Sequence, residues 1–105
     1  MFAVIGTDTY LKEIEKLPKE YQEIAEKIAK KLTENPFLGD PLGYPFLRER
    51  RIREKRVYYL VYEDLQSILL VAVSGKKDQQ FTIDHIKIQL DEFRLIAEKI
   101  FKQAS

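Results

Sequence analysis

The run Ile68-Leu69-Leu70-Val71-Ala72-Val73 constrains this chain more than any other segment. It has the length of a strand and is apolar at every position. It therefore offers no polar face to water and calls for a central place in a sheet, covered at least partly on each side. It is far too short to span a bilayer, so no membrane role is expected. The rest of the chain must supply strands beside it and layers above and below. With 105 residues the expectation is a single domain over residues 1–105, large enough to bury a core without staples.

The neighbouring segments fit that demand. Phe2-Ala3-Val4-Ile5-Gly6-Thr7 reads as a short first strand, and Thr7 and Asp8 offer side-chain oxygens for a helix N-terminus. Leu11, Ile14 and Leu17 follow at helical spacing. After Pro18, a second helix of about four turns gathers Tyr21, Ile24, Ala25, Ile28 and Leu32 on one face and stops before Pro36. Almost no loop separates the two, which predicts a helical hairpin. Residues 35–45 form a proline- and glycine-rich crossover. Strand patterns then cover residues 46–53, 56–62 and 67–73, separated by short polar turns, which predicts an antiparallel meander. With the first strand the sheet has about four strands. The fold class is α/β (α+β).

From Asp78 the period becomes helical again. Ile83, Ile86, Leu90, Phe93, Ala97 and Ile100 follow a three-four spacing, which predicts one C-terminal helix over residues 78–102. Ile88, Leu95, Ile96 and Phe101 widen its apolar surface. Two outcomes suit such a helix. Either the fold wraps it on two sides, or Leu90, Phe93, Ala97 and Ile100 meet a partner, which is a second copy in a homodimer or another protein.

Charge is distributed unevenly. The net charge is +1, yet six of the nine residues from Arg48 to Arg56 are basic. A local basic stripe on a sheet is a candidate surface for phosphates, and otherwise a solvated edge that resists aggregation. There is no cysteine, which excludes disulfides and thiolate metal sites and fits a cytoplasmic location. Abundant Lys, Glu and Arg without Cys or Trp is a composition common in thermophiles. The sequence holds no metal-ligand cluster, no glycine-rich phosphate loop and no nucleophile–base pairing, so no metal or cofactor is expected.

The order of these segments resembles the RelE/ParE superfamily of toxin–antitoxin toxins. The residues that carry the resemblance are Leu17-Pro18-Lys19-Glu20, Leu32-Thr33-Glu34-Asn35-Pro36-Phe37-Leu38-Gly39-Asp40-Pro41-Leu42, Arg51-Ile52-Arg53, Arg56-Val57-Tyr58-Tyr59-Leu60-Val61-Tyr62-Glu63 and Ser74-Gly75-Lys76-Lys77. They span about residues 1 to 80. The resemblance implies a RelE-like fold, a cognate antitoxin as partner, and action on mRNA at the ribosome. In that chemistry a 2′-hydroxyl attacks the adjacent phosphate without a metal. Cations stabilise the phosphorane and an acid protonates the leaving 5′-oxygen.

By position, the resemblance implies catalytic roles for Arg51, Arg53, Arg56 and Lys77. His85, the only histidine, is the nearest candidate for acid–base work, although the heptad places it inside a helix. Arg48, Arg50, Lys55 and Lys76 are candidate RNA contacts, with Arg48 and Arg50 on the opposite face by parity. Glu49, Glu54 and Glu63 read as cross-strand partners of arginine, and Tyr58, Tyr59 and Tyr62 as core. The chain departs from the family where a late tyrosine or histidine is common. The segment after the last strand is Lys76-Lys77-Asp78-Gln79-Gln80-Phe81-Thr82-Ile83, and Phe81 transfers no proton. Three functions therefore remain open: an endoribonuclease toxin, a non-catalytic RNA- or ribosome-binding protein of the same fold, and a ParE-like gyrase inhibitor.

Overall fold

The computed structural model describes residues 1–102. The elements in chain order are β1 (Ala3–Gly6), α1 (Asp8–Glu15), α2 (Lys19–Glu34), β2 (Asp40–Pro41), β3 (Leu47–Ile52), β4 (Lys55–Tyr62), β5 (Ser67–Gly75), α3 (Gln79–Ile88) and α4 (Leu90–Lys102). They build one sheet in the order β1-β5-β4-β3-β2. β1 runs parallel to β5 and the other pairs are antiparallel.

The sheet thus has five strands among the described residues, not four. The extra one, β2, is two residues long, too short to carry a period. Asp40 and Pro41 pair with Glu49 and Arg48. Pro41 is tolerated there because an edge strand can do without one N–H.

The apolar run lies inside the sheet and is buried on both faces, as its composition demands. On one face Ile68 and Leu70 meet Tyr10, Ala25, Ile28 and Leu32 of α1 and α2, with Ile52, Val57, Tyr59 and Val61 completing that core. On the other, Leu69 and Val71 join Leu47, Tyr58, Leu60 and Tyr62 beneath Ile83, Ile86 and Ala97 of α3 and α4. Each fully buried Leu or Ile contributes about 1.5–3 kcal/mol, so helices on both sides are what make a strand without a polar face stable. Thr7 caps α1, its hydroxyl accepting from the Tyr10 N–H at 3.1 Å.

The C-terminal segment is two helices rather than one over residues 78–102. At Gln89 the backbone N–H bonds to the Ile86 carbonyl, three residues back, and this tight turn breaks the helix. Neither proline nor glycine marks the break. The helices remain on one seam, and that seam is spent internally. Ala97 is fully buried, and Leu90, Phe93 and Ile100 pack against the same core. The wrapped arrangement is therefore the observed one, and Ile88, Leu95 and Ile96 are the large apolar side chains that α3 and α4 leave exposed beside Phe81.

Candidate nucleic-acid interface

The register of three strands assembles a small polar grid on the face that α3 and α4 cover. Arg51 of β3 lies directly opposite Arg56 of β4, and Arg56 lies opposite Ser74 of β5. One pair further along, Glu49 lies opposite Tyr58, and Tyr58 opposite Ala72. The strand period of two sends Glu49, Arg51, Arg56 and Tyr58 to this one side.

Arg56 is the unusual member. Its side chain is 9% exposed, and its Nε and Nη1 are buried without a hydrogen-bond partner. The Glu49 carboxylate approaches Nε at 3.8 Å, close enough for charge attraction but too far for a hydrogen bond. That carboxylate is turned toward α3, where the Gln79 side-chain amide donates to both oxygens at 2.8 and 3.0 Å. The Tyr58 hydroxyl and the Ser74 hydroxyl are 2.7 Å apart, and Ser74 Oγ also donates to the Gly75 carbonyl. Burial holds the Tyr58 phenol above its ordinary value, against the opposing pull of the Ser74 bond, so it stays protonated at neutral pH.

Like charges directly opposite across a ladder are unfavourable, and buried guanidinium N–H groups without acceptors cost free energy. A fold optimised only for stability has no use for Arg51 beside Arg56. An anion between them would supply the missing acceptors, and the guanidinium fork suits phosphate oxygens.

The other basic residues scatter. Arg48, on the opposite face as parity predicts, donates to the carbonyls of Gly39, Pro45 and Phe37 and lies over the Phe37 ring. Its work is structural, tying the crossover loop to β3. Arg50 shares that face. Arg53 does not stand beside Arg51. It occupies the β3–β4 turn at φ 55 and pairs with Glu20 of α2. The two-residue period fails there because β3 has already ended at Ile52. Lys76 and Lys77 are exposed between β5 and α3, and the Lys55 ammonium lies near Gly75.

His85 is exposed on α3 with its ring stacked on Phe81, centroids 5.9 Å apart and planes within 8°. It lines a cleft that shares only Ser74 with the polar grid. Among the described residues no hydrogen bond joins it to Arg51, Arg56 or Glu49. Glu54 accepts from Tyr21 rather than from an arginine. Tyr59 faces the α1–α2 side and Tyr62 packs on the α4 side, whereas Tyr58 is the tyrosine that touches the grid.

Glu49, Arg51, Arg56 and Tyr58 share a face by simple parity. Ser74 and Gln79 could not be found that way. A register shift at Tyr58/Tyr59 inserts an extra residue in β5 and resets its parity, and Gln79 arrives from a helix.

Solved structures similar to this chain include toxin–antitoxin complexes and a free toxin. The intact E. coli RelBE complex matches with 20% identity over 71% of this chain and 96% of the other, at a TM-score of 0.64. The RelBE2 complex from Mycobacterium tuberculosis matches with 20% identity over 71% and 98%, at 0.63. A free mutant of the E. coli toxin RelE matches with 18% identity over 83% and 97%, at 0.70. The fold is RelE-like. The RelE-like core accounts for nearly the full length of each neighbour, while this chain has residues to spare. At the level of sequence, no family model and no curated protein matches the chain.

Proposed function

We propose that the protein is a RelE-like toxin that binds RNA phosphates between Arg51 and Arg56, held in check by a cognate antitoxin, and that it cleaves mRNA on the ribosome without a metal. The observation that carries this reading is the cross-strand arginine pair, in which Arg56 Nε and Nη1 are buried without an acceptor. The RelE-like fold supports the toxin and antitoxin roles, since the neighbours named RelBE are toxin–antitoxin complexes.

In this reading the two guanidinium groups neutralise the phosphorane, and Glu49 and Gln79 set the orientation of Arg56. The Ser74 hydroxyl, backed by Tyr58, is the polar group nearest a phosphate at Arg56. Lys76 and Lys77 extend the positive field along the strand end and Lys55 adds to it. His85 has no role on this phosphate.

Among the described residues the carboxyl beside Arg56 is Glu49, an ion-paired carboxylate already bonded to Gln79, and the nearby phenol is Tyr58, which favours a second reading. Tyr58 is fully buried and its phenol is held up by burial, so it is a poor proton donor. The same face would then hold RNA or a ribosomal surface without cutting it.

One experiment separates these. Controlled expression is followed by mapping of mRNA ends in a translating extract, with RNA binding measured at several salt concentrations. Toxin activity requires growth arrest and new 5′ ends that Arg51→Ala and Arg56→Ala remove. Binding without new ends supports the second reading. A protein that binds no RNA, and that blocks gyrase supercoiling instead, overturns both.

A further inference from the structure

The structure contains a second surface that meets the arginine grid only at Ser74. β1 pairs with β5 only as far as Gly6 and Leu70. The chain then turns away through Thr7 into α1, while β5 continues to Gly75. Residues 71–75 therefore have β4 on one side and no strand on the other, among the described residues. This open strand edge floors a cleft of about 880 Å³ between the start of α1 and the helices α3 and α4.

The walls of the cleft are apolar. Val73, Ile86, Phe93, Ile96 and Ile100 line it, and Phe81, 73% exposed, stands at its margin. The charged residues that line it are all carboxylates, Asp8, Glu13, Asp78 and Glu92, and His85 is the one other titratable group. Among the described residues no lysine or arginine lines it. That is the reverse of the charge at Arg51 and Arg56, in a chain whose net charge is +1.

An uncovered strand edge satisfies its backbone by pairing, and natural sheets usually shield such an edge with lysine, proline or a covering loop. None of these occupies residues 71–75, although the bulge beside Tyr58 bends the strand. Apolar walls call for alternate side chains pointing inward, and the acidic rim calls for cations and repels nucleic acid. We infer that this cleft receives an extended segment of a partner protein, apolar and basic in alternation, laid as an added strand along residues 71–75. Main-chain pairing supplies the affinity in this mode, and the walls and rim supply the choice of sequence. The segment continues the line of β1 past the point where β1 leaves the sheet. The inference does not rest on the RNA reading, because Arg51 and Arg56 take no part in it and Ser74 enters only through its main chain.

The test is selection of a random octapeptide display library on the full chain at physiological salt. Enriched peptides are then synthesised, titrated and followed by amide chemical shifts. The expected winners alternate apolar residues with Lys or Arg and shift the amides of residues 71–75. Neutralising the rim with Asp8→Asn and Glu92→Gln together lowers their affinity about tenfold, as expected for two partly screened charges. Arg51→Ala leaves their affinity within about twofold. Enrichment of acidic peptides, affinity indifferent to the rim, or shifts confined to the arginine face would each overturn the inference. So would sedimentation of the chain alone as a dimer whose interface is residues 71–75, since a second copy would then be the occupant. Loss of mRNA cleavage in Arg56→Ala with peptide binding intact leaves this inference standing, and the reverse outcome removes it alone.

Discussion

Removing both buried charges of the grid should make the protein more stable and weaken its binding to RNA. The perturbation is Glu49→Gln with Arg56→Met. In the native fold Arg56 and Glu49 have side chains only 9% and 10% exposed, stand 3.8 Å apart and share no hydrogen bond. Such a pair recovers little of the cost of desolvating two ions, and replacing buried pairs by neutral residues stabilises proteins by about 1–4 kcal/mol in favourable cases. The gain here should fall near 2 kcal/mol. Part of the Glu49 cost is already met by Gln79, and methionine keeps most of the aliphatic packing of the arginine stem. For a chain of this length that corresponds to a rise in Tm of about 8 °C. Each single change should do worse than the double. Glu49→Gln strands the guanidinium and should cost several kcal/mol, on the order of 3. Urea and thermal unfolding by circular dichroism, arranged as a double-mutant cycle, measure these differences. RNA affinity at several salt concentrations measures the loss of the phosphate contact, which should flatten the salt slope by somewhat less than one unit. A double variant less stable than the wild type, or one that binds RNA with an unchanged slope, would refute the claim that stability is given up here for anion binding.

Three further outcomes follow from other contacts. Gly39→Ala should destabilise by about 2–3 kcal/mol in urea unfolding, because a Cβ there would sit 2.2 Å from the Glu49 carbonyl oxygen, where the Gly39 N–H is already bonded to the buried Tyr59 hydroxyl. Arg53→Gly should hold stability within about 1 kcal/mol, since relief of the left-handed backbone at φ 55 offsets an exposed ion pair. It should also weaken RNA binding less than Arg51→Ala does. Arg94→Met should blunt acid unfolding. Hydrogen bonds from Arg94 lower the Asp64 and Glu98 carboxyls below 3.8 and 4.5, so their contribution is present above those values and disappears as pH falls through the lowered ones. A wild-type acid limb as shallow as that of the variant would count against this linkage.

The sequence made the layers legible and left the joints obscure. Periodicity located α2, β3, β4 and β5 because each buries a continuous stripe. The apolar residues of the run 68–73 announced cover on both faces. Local geometry without a stripe was invisible. The two-residue β2 has no period, and the break at Gln89 arises from a single tightened hydrogen bond. The extra residue in β5 comes from long-range pairing. The same division holds for the site. Parity put Glu49, Arg51 and Arg56 on one face, but it also grouped Arg53 with them, since parity persists only while the strand does. Ser74 and Gln79 reach the grid through register and helix docking, which depend on residues far away in the chain.

The parallel pairing of β1 with β5 has a consequence for the order in which a newly made chain takes shape. The first strand leaves the ribosome early, but the strand it must lie against is residues 67–70. At about 5–20 residues per second, the helices α1 and α2 are exposed for seconds before any sheet exists to receive them. The grid is later still, because Gln79 and the cover of α3 and α4 follow β5 in the chain. A nascent copy therefore lacks the Gln79 bonds that fix Glu49 beside Arg56 until the helices that follow β5 have been made.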